Sequence, residues 1–490
     1  MTESTAGVLL LAAGAAVLVG LLAAATTPLV PAAGLLGLLI LGVIIWRPVV
    51  GLWLFVAVVA TLPFGVIPVP LAGAQLTFVD TVLIATFGAV LARMVFSSWR
   101  VPLDAPGLAV LAFVLVASMA FAAGAAVTPI TPELIRRFGK LLASVMFFFI
   151  ARALLSTPRR LEGLTRGLIL AGAIQGSIGA ALMALPPLAQ LTLLTRLQVI
   201  GYPTTDVLRY VPGPNDTYTD QLRAIGTSVD PNVFGGTLML ALALTVVHWA
   251  SPAPVLRKGI LVALAVPTAA GLVLSLSRAS WLGLSAGLLL VGALRYRRIL
   301  ALGALFGAGL LASPVGQQIV LRFISGFSTA DRATAFRIGE YANALTLLQR
   351  YPLLGIGFGA SPDIDVTAGV SSVYLLVAEQ TGLLGLAVYV IGLATTWLIG
   401  VRALSAVREP RLQAIVAAFL AALSGALVGG LLDHYFANQA FPHAVGLFWL
   451  YAASLVAAAT SSGRVPQWKR EPERATAARP GAFSPHRTPV

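Results

Sequence analysis

The chain has 490 residues, of which 58% are hydrophobic and only 10% charged, and its formal net charge is +14. A soluble domain carries about 25% charged residues, so this composition describes a polytopic membrane protein and argues against a water-soluble one. There is no cysteine and there are only four histidines, so disulfides and thiolate sites are excluded, a multi-histidine metal centre is disfavoured, and no cofactor is expected.

The start, "MTEST", has no basic segment ahead of its first apolar run, so that run reads as a retained span. Stretches of about 20 mostly apolar residues mark spans. They fall near 6–26, 29–46, 49–67, 76–95, 105–127, 134–155, 163–185, 231–250, 259–276, 279–294, 299–313, 373–400, 412–431 and 442–460. The expected fold is an all-α polytopic bundle of about 12–14 transmembrane helices, one integral-membrane domain over 1–460. Residues 461–490 are rich in Pro, Arg and Ala and read as a disordered tail.

Charge tests the alternation. Even-numbered connections hold fifteen basic residues, Arg47 to Arg411, against Asp104, Glu162 and Glu409. The two long odd-numbered loops, 186–230 and 314–370, hold seven basic and eight acidic residues. Lys/Arg bias marks the cytoplasmic side, so both termini are expected inside and both long loops outside, in a bacterial cytoplasmic membrane. Most of the positive charge is then an orientation signal, and no nucleic-acid partner is expected.

A few cations break this pattern. Arg136, Arg137 and Lys140 open the sixth span on the expected outer side, with Arg136 and Lys140 on one helical face. Arg223 precedes "TSVDPN", where Asp230 and Pro231 form a helix start. Arg278 lies in "LSLSRASWLG", held in the short turn between two spans. Helix-end arginines can simply reach the headgroups. Three outer cations also suit lipid-borne phosphate. Further on, "FRIGEYANALTLLQRYP" has helical periodicity and reads as a surface helix, and "GIGFG" allows close backbone approach.

"RAIGTSVDPN", "SLSRASWLGL", the run ending "YPLLGIGFG" and "SSVYLLVAEQTGLLGL" occur in the order seen in the O-antigen ligase / O-antigen polymerase superfamily. The chain resembles that family over about residues 220–400. The resemblance implies a metal-independent membrane glycosyltransferase of the C type, acting on a polyprenyl-diphosphate-linked glycan and a glycan or lipid acceptor. It implies that Arg223 and Arg278 bind the donor's diphosphate, a role that suits the planar, permanently charged guanidinium. Arg136 and Lys140 are further candidates for that phosphate.

The family's catalytic histidine precedes a G-x-x-G by a fixed interval. Here Gly382 and Gly385 fit that frame, and Ser371 stands in the histidine's place. A serine alone is a poor base. His434, beside Asp433 in "LDHYFANQAFPH", is the first substitute, and Glu379 the second. A flippase of lipid-linked sugars is the alternative reading, and a non-catalytic assembly partner a third. The long loops are expected to carry the acceptor surface.

Overall fold

The computed structural model describes residues 29–67, 76–96, 103–212, 218–314, 316–317, 320–321, 332–359 and 370–461. The span expected at 6–26, the tail from 462 onward, and Arg100, Arg322, Asp331, Asp363 and Asp365 lie outside the described residues. Among the described residues fifteen α-helices follow one another. They are α1 (Leu29–Trp46), α2 (Val49–Thr61), α3 (Phe78–Phe96), α4 (Ala105–Ala123), α5 (Pro132–Leu154), α6 (Pro158–Met183), α7 (Pro187–Arg196) and α8 (Pro231–Ala250). Next come α9 (Lys258–Leu274), α10 (Arg278–Leu294), α11 (Arg297–Ala312), α12 (Arg332–Arg350), α13 (Val373–Ala406), α14 (Pro410–Gly429) and α15 (Pro442–Ser461). Between α7 and α8, where the sequence pattern suggests only a loop, lies a hairpin of β1 (Arg209–Pro212) and β2 (Tyr218–Arg223).

Among the described residues thirteen of the expected spans coincide with helices, and seven helices are long and apolar enough to cross a membrane. Segments of α1, α2, α9 and α10 are apolar but shorter. The chain is an all-α, multi-pass membrane protein.

Local sequence sets many of the helix starts. Thr131, Thr157, Asp230 and Glu409 each precede a proline, and each side chain accepts backbone N–H bonds from the first turn. Such a cap satisfies donors that the helix leaves unpaired, and proline at the first position gives up no bond.

Small residues decide what sits in the middle. In α8, α14 and α15 more than four-fifths of the spanning window is buried, against about a third in α3 and α13. α10 lies along α14, where Gly283 and Gly287 face the backbone of Gly425 and Ala421. Glycines four apart let two helix backbones approach, which replaces the missing hydrophobic drive inside a lipid phase. α3, α4 and the far face of α10 instead expose Leu91, Leu115 and Leu289.

α13 is not one straight span as expected. Gly382 has φ 66° and ψ −171°, which breaks the helix. The segment 352–357 lies against the break: Ile356 N–H donates to Glu379 O at 2.9 Å, Gly357 N–H to Gln380 O at 3.1 Å, and Leu383 N–H to Pro352 O at 2.8 Å. Irregular backbone at such a place is tolerated when its polar groups are satisfied internally. Gly355 and Gly357 have positive φ, and a Cβ on either would strike backbone, Glu379 O for Gly355 and Gly124 Cα for Gly357. The close approach read from "GIGFG" is therefore to the protein's own backbone.

Candidate functional site

Two helices begin beside each other at one end of the bundle. α8 starts at Asp230, whose Oδ1 accepts from Asn232 N–H at 2.8 Å and Val233 N–H at 3.1 Å. α10 starts at Ser277–Arg278. The residue before each cap has a left-handed backbone: Val229 at φ 63° and Leu276 at φ 53°. A β-branched residue there is an outlier, and such conformations cost about 1–3 kcal/mol each. They turn two chain segments sharply into helix N-termini, whose partial positive charge favours anions.

The hairpin delivers Arg223 to the same place. Ala224 N–H donates to Leu274 O at 2.9 Å. The Arg223 guanidinium then donates from Nε to Ser275 O at 2.9 Å and from Nη2 to Asn232 Oδ1 at 2.6 Å. Arg223 therefore touches both helix starts. Its electrostatic neighbours are Asp230, Asp433, Arg278 and Arg337. Burial is the main influence on it, and with Arg278 and Arg337 it draws the guanidinium down to about 10 against the pull of Asp230 and Asp433. It remains charged at neutral pH.

Arg278, half-buried, is the first residue of α10. Behind it runs a buried hydroxyl chain: Ser277 Oγ to Ser280 Oγ at 2.9 Å, and Ser280 Oγ to the Tyr435 hydroxyl at 3.4 Å. Gly235 makes room for this chain, because a Cβ there would meet the side chains of Ser275, Ser277 and Ser280.

The turn between α14 and α15 closes the site. Asp433 is 4% exposed. Burial pushes its carboxyl up, opposed by His434 and Arg337 and reinforced by Asp230. Asp433 Oδ1 accepts the backbone N–H of His434 at 2.8 Å and lies 3.5 Å from His434 Nδ1. The latter is longer than a hydrogen bond, and among the described residues His434 Nδ1 has no hydrogen-bond partner.

α12 forms the remaining wall. Tyr341 donates its hydroxyl to two carbonyls, Ser371 O at 3.0 Å and Leu431 O at 2.9 Å. Glu340 accepts from Ser371 N–H at 2.9 Å. Arg337, one turn earlier, is an electrostatic neighbour of Arg223, Asp433 and Tyr341. Burial raises the Tyr341 hydroxyl pKa above its ordinary value, Glu340 and Asp433 add to the rise, and Arg337 opposes it. Ser371 is half-buried and stands immediately before Ser372 at the start of α13.

Residues 263–390 match the family model described as O-antigen ligase. This segment is similar to O-antigen ligases. The match supports the O-antigen ligase superfamily, whose members act on lipid-linked glycans, and it points to ligation or polymerisation of surface polysaccharide. It spans Arg278, Arg337, Glu340, Ser371 and Glu379, and stops short of Arg223 and His434. No curated protein matches the chain.

Of the residues singled out in the sequence, the fold brings Arg223 and Arg278 together. Lys140 is instead paired with Asp80 at 2.6 Å, and Arg136 and Arg137 are paired with Glu133. Glu379 sits in the second turn of α13, within electrostatic reach of Glu340. Sequence reading counted Arg337 and Glu340 only among the charges of loop 314–370 and did not single out Tyr341, although the fold sets all three beside this site. Their spacing of three and four places them on one helical face, a signal that was present in "FRIGEY". Among the described residues no three His, Cys, Asp or Glu side chains are grouped to hold a metal ion.

Proposed function

We propose that the protein transfers glycan from a polyprenyl diphosphate to a sugar hydroxyl, at the outer face of a bacterial cytoplasmic membrane. The observation that carries this reading is the meeting of Arg223 and Arg278 at two adjoining helix N-termini. Guanidinium groups bind phosphate through paired, charge-assisted hydrogen bonds. Fixed cations facing the leaving diphosphate stabilise its growing charge without reorganising at the moment of reaction. Arg337 makes a third cation of the same cluster. Arg136 and Lys140 carry charge already matched by Glu133 and Asp80, so the proposal rests on the cluster around Arg223.

The acceptor hydroxyl needs a base. His434 and Glu379 are the candidates that the sequence offers, and Ser371 has no base strength of its own. The test uses the full chain in lipid nanodiscs with a polyprenyl-diphosphate oligosaccharide, candidate acceptors and EDTA. Transfer by the wild type that is lost in Arg278→Ala supports the reading. Tight lipid binding with no transfer to any acceptor points instead to a flippase or an assembly partner.

A further inference from the structure

We propose that Glu340 is the general base that accepts the proton of the acceptor hydroxyl. The inference rests on the transfer reaction described above and names its missing proton acceptor.

A base must lie beside the sugar carbon that is attacked, and that carbon is one bond from the diphosphate. Glu340 is three residues, about 4.5 Å of helical rise, after Arg337, which stands in the cation cluster with Arg223. Its carboxylate is half-buried and aimed by a backbone donor, Ser371 N–H at 2.9 Å. Tyr341, the next residue, bonds Ser371 O and Leu431 O and so fixes this turn of α12 against α13 and the α14–α15 turn.

The other candidates fit less well. His434 Nδ1 is buried against Asp433 and without a hydrogen-bond partner among the described residues. Glu379 stands in the second turn of α13, beside the Gly382 break, and no hydrogen bond ties its carboxylate to the Ser371 turn among the described residues. In the step itself, the acceptor oxygen bonds to the sugar carbon and the bond from that carbon to the diphosphate oxygen breaks. The lipid diphosphate leaves as an anion among the arginines, and the acceptor's proton passes to Glu340.

The experiment measures transfer and donor binding side by side in nanodiscs. Glu340→Gln keeps an oxygen for Ser371 N–H and removes only the base. The expected result is a fall in kcat of about 100-fold or more, with donor Kd changed by less than about twofold, as such a base acts on the chemical step. Placing an imidazole beside the same position, in E340Q/S371H, is expected to restore transfer at least about tenfold over E340Q, within the range of one general base. Glu340→Asp covers the case in which E340Q does not fold; it is expected to retain binding and transfer slowly. Wild-type kcat in E340Q or in a charge-free E340A overturns the assignment. So does a loss of donor binding that parallels the loss of transfer. Failure of the wild type to transfer to any acceptor overturns the transfer reading itself, and the role of Glu340 with it.

Discussion

Arg223 Nε donates to the carbonyl of Ser275 at 2.9 Å, which ties the last residue of the hairpin to the turn that carries Arg278. The same guanidinium reaches Asn232 in the first turn of α8. One side chain thus links three segments and sets the spacing between two cations.

Arg223→Lys is expected to lose most transfer, by about tenfold or more. A lysine keeps the charge but lacks the planar fork, so it cannot bond Ser275 O and Asn232 while facing phosphate. Transfer rates and donor binding, compared with Arg223→Ala, check this. A fully active lysine variant would show that charge alone suffices.

Tyr341→Phe removes both hydroxyl bonds that fasten α12. The carbonyls of Ser371 and Leu431 lose a donor, at about 1–3 kcal/mol if they are left unsatisfied. Proteolysis at α12 is expected to quicken and transfer to fall, while the melting of the rest of the bundle changes little.

Gly287→Val should lower thermal stability in detergent by about 1–3 kcal/mol, the usual scale of overpacking. Its Cβ would fall against the backbone carbonyl of Ala421 in α14, whereas Gly259 has open space around it. Gly259→Ala is therefore the matched control, and an equal effect of both substitutions would remove the α10–α14 explanation.

At the opposite end of the bundle, Arg152 holds Asp104 with two bonds, at 2.6 and 2.7 Å. Burial tends to raise the Asp104 carboxyl, but Arg152 and the Gly107 N–H outweigh it and hold the carboxyl below its ordinary value. A carboxyl lowered by folding adds stability that is complete above its unfolded value, about 3.9, and is lost as pH falls through the lower folded value. Arg152 is buried but Asp104 is a third exposed, so Arg152→Ala is expected to destabilise by less than the roughly 3–5 kcal/mol of a fully buried broken pair. Unfolding measured from pH 6 downward should show the wild type approaching the variant.

The sequence by itself determined the class of molecule, because a span is a local property: about 20 apolar residues must satisfy their own backbone in lipid. Helix starts were equally local, since a cap and its proline lie next to each other at Asp230–Pro231 and Glu409–Pro410. The arginines Arg223 and Arg278 were legible as candidates because their motifs are contiguous. Their meeting was not, because it depends on a hairpin, two left-handed residues and small-residue packing between distant helices. The broken α13 was hidden for the same reason: Gly382 reads as an ordinary helical glycine until segment 352–357 lies against it. Only the tertiary structure placed Glu340 at Ser371, through a bond between a helix and a loop thirty-one residues apart. No periodicity encodes such a contact, and only packing against the α14–α15 turn fixes it.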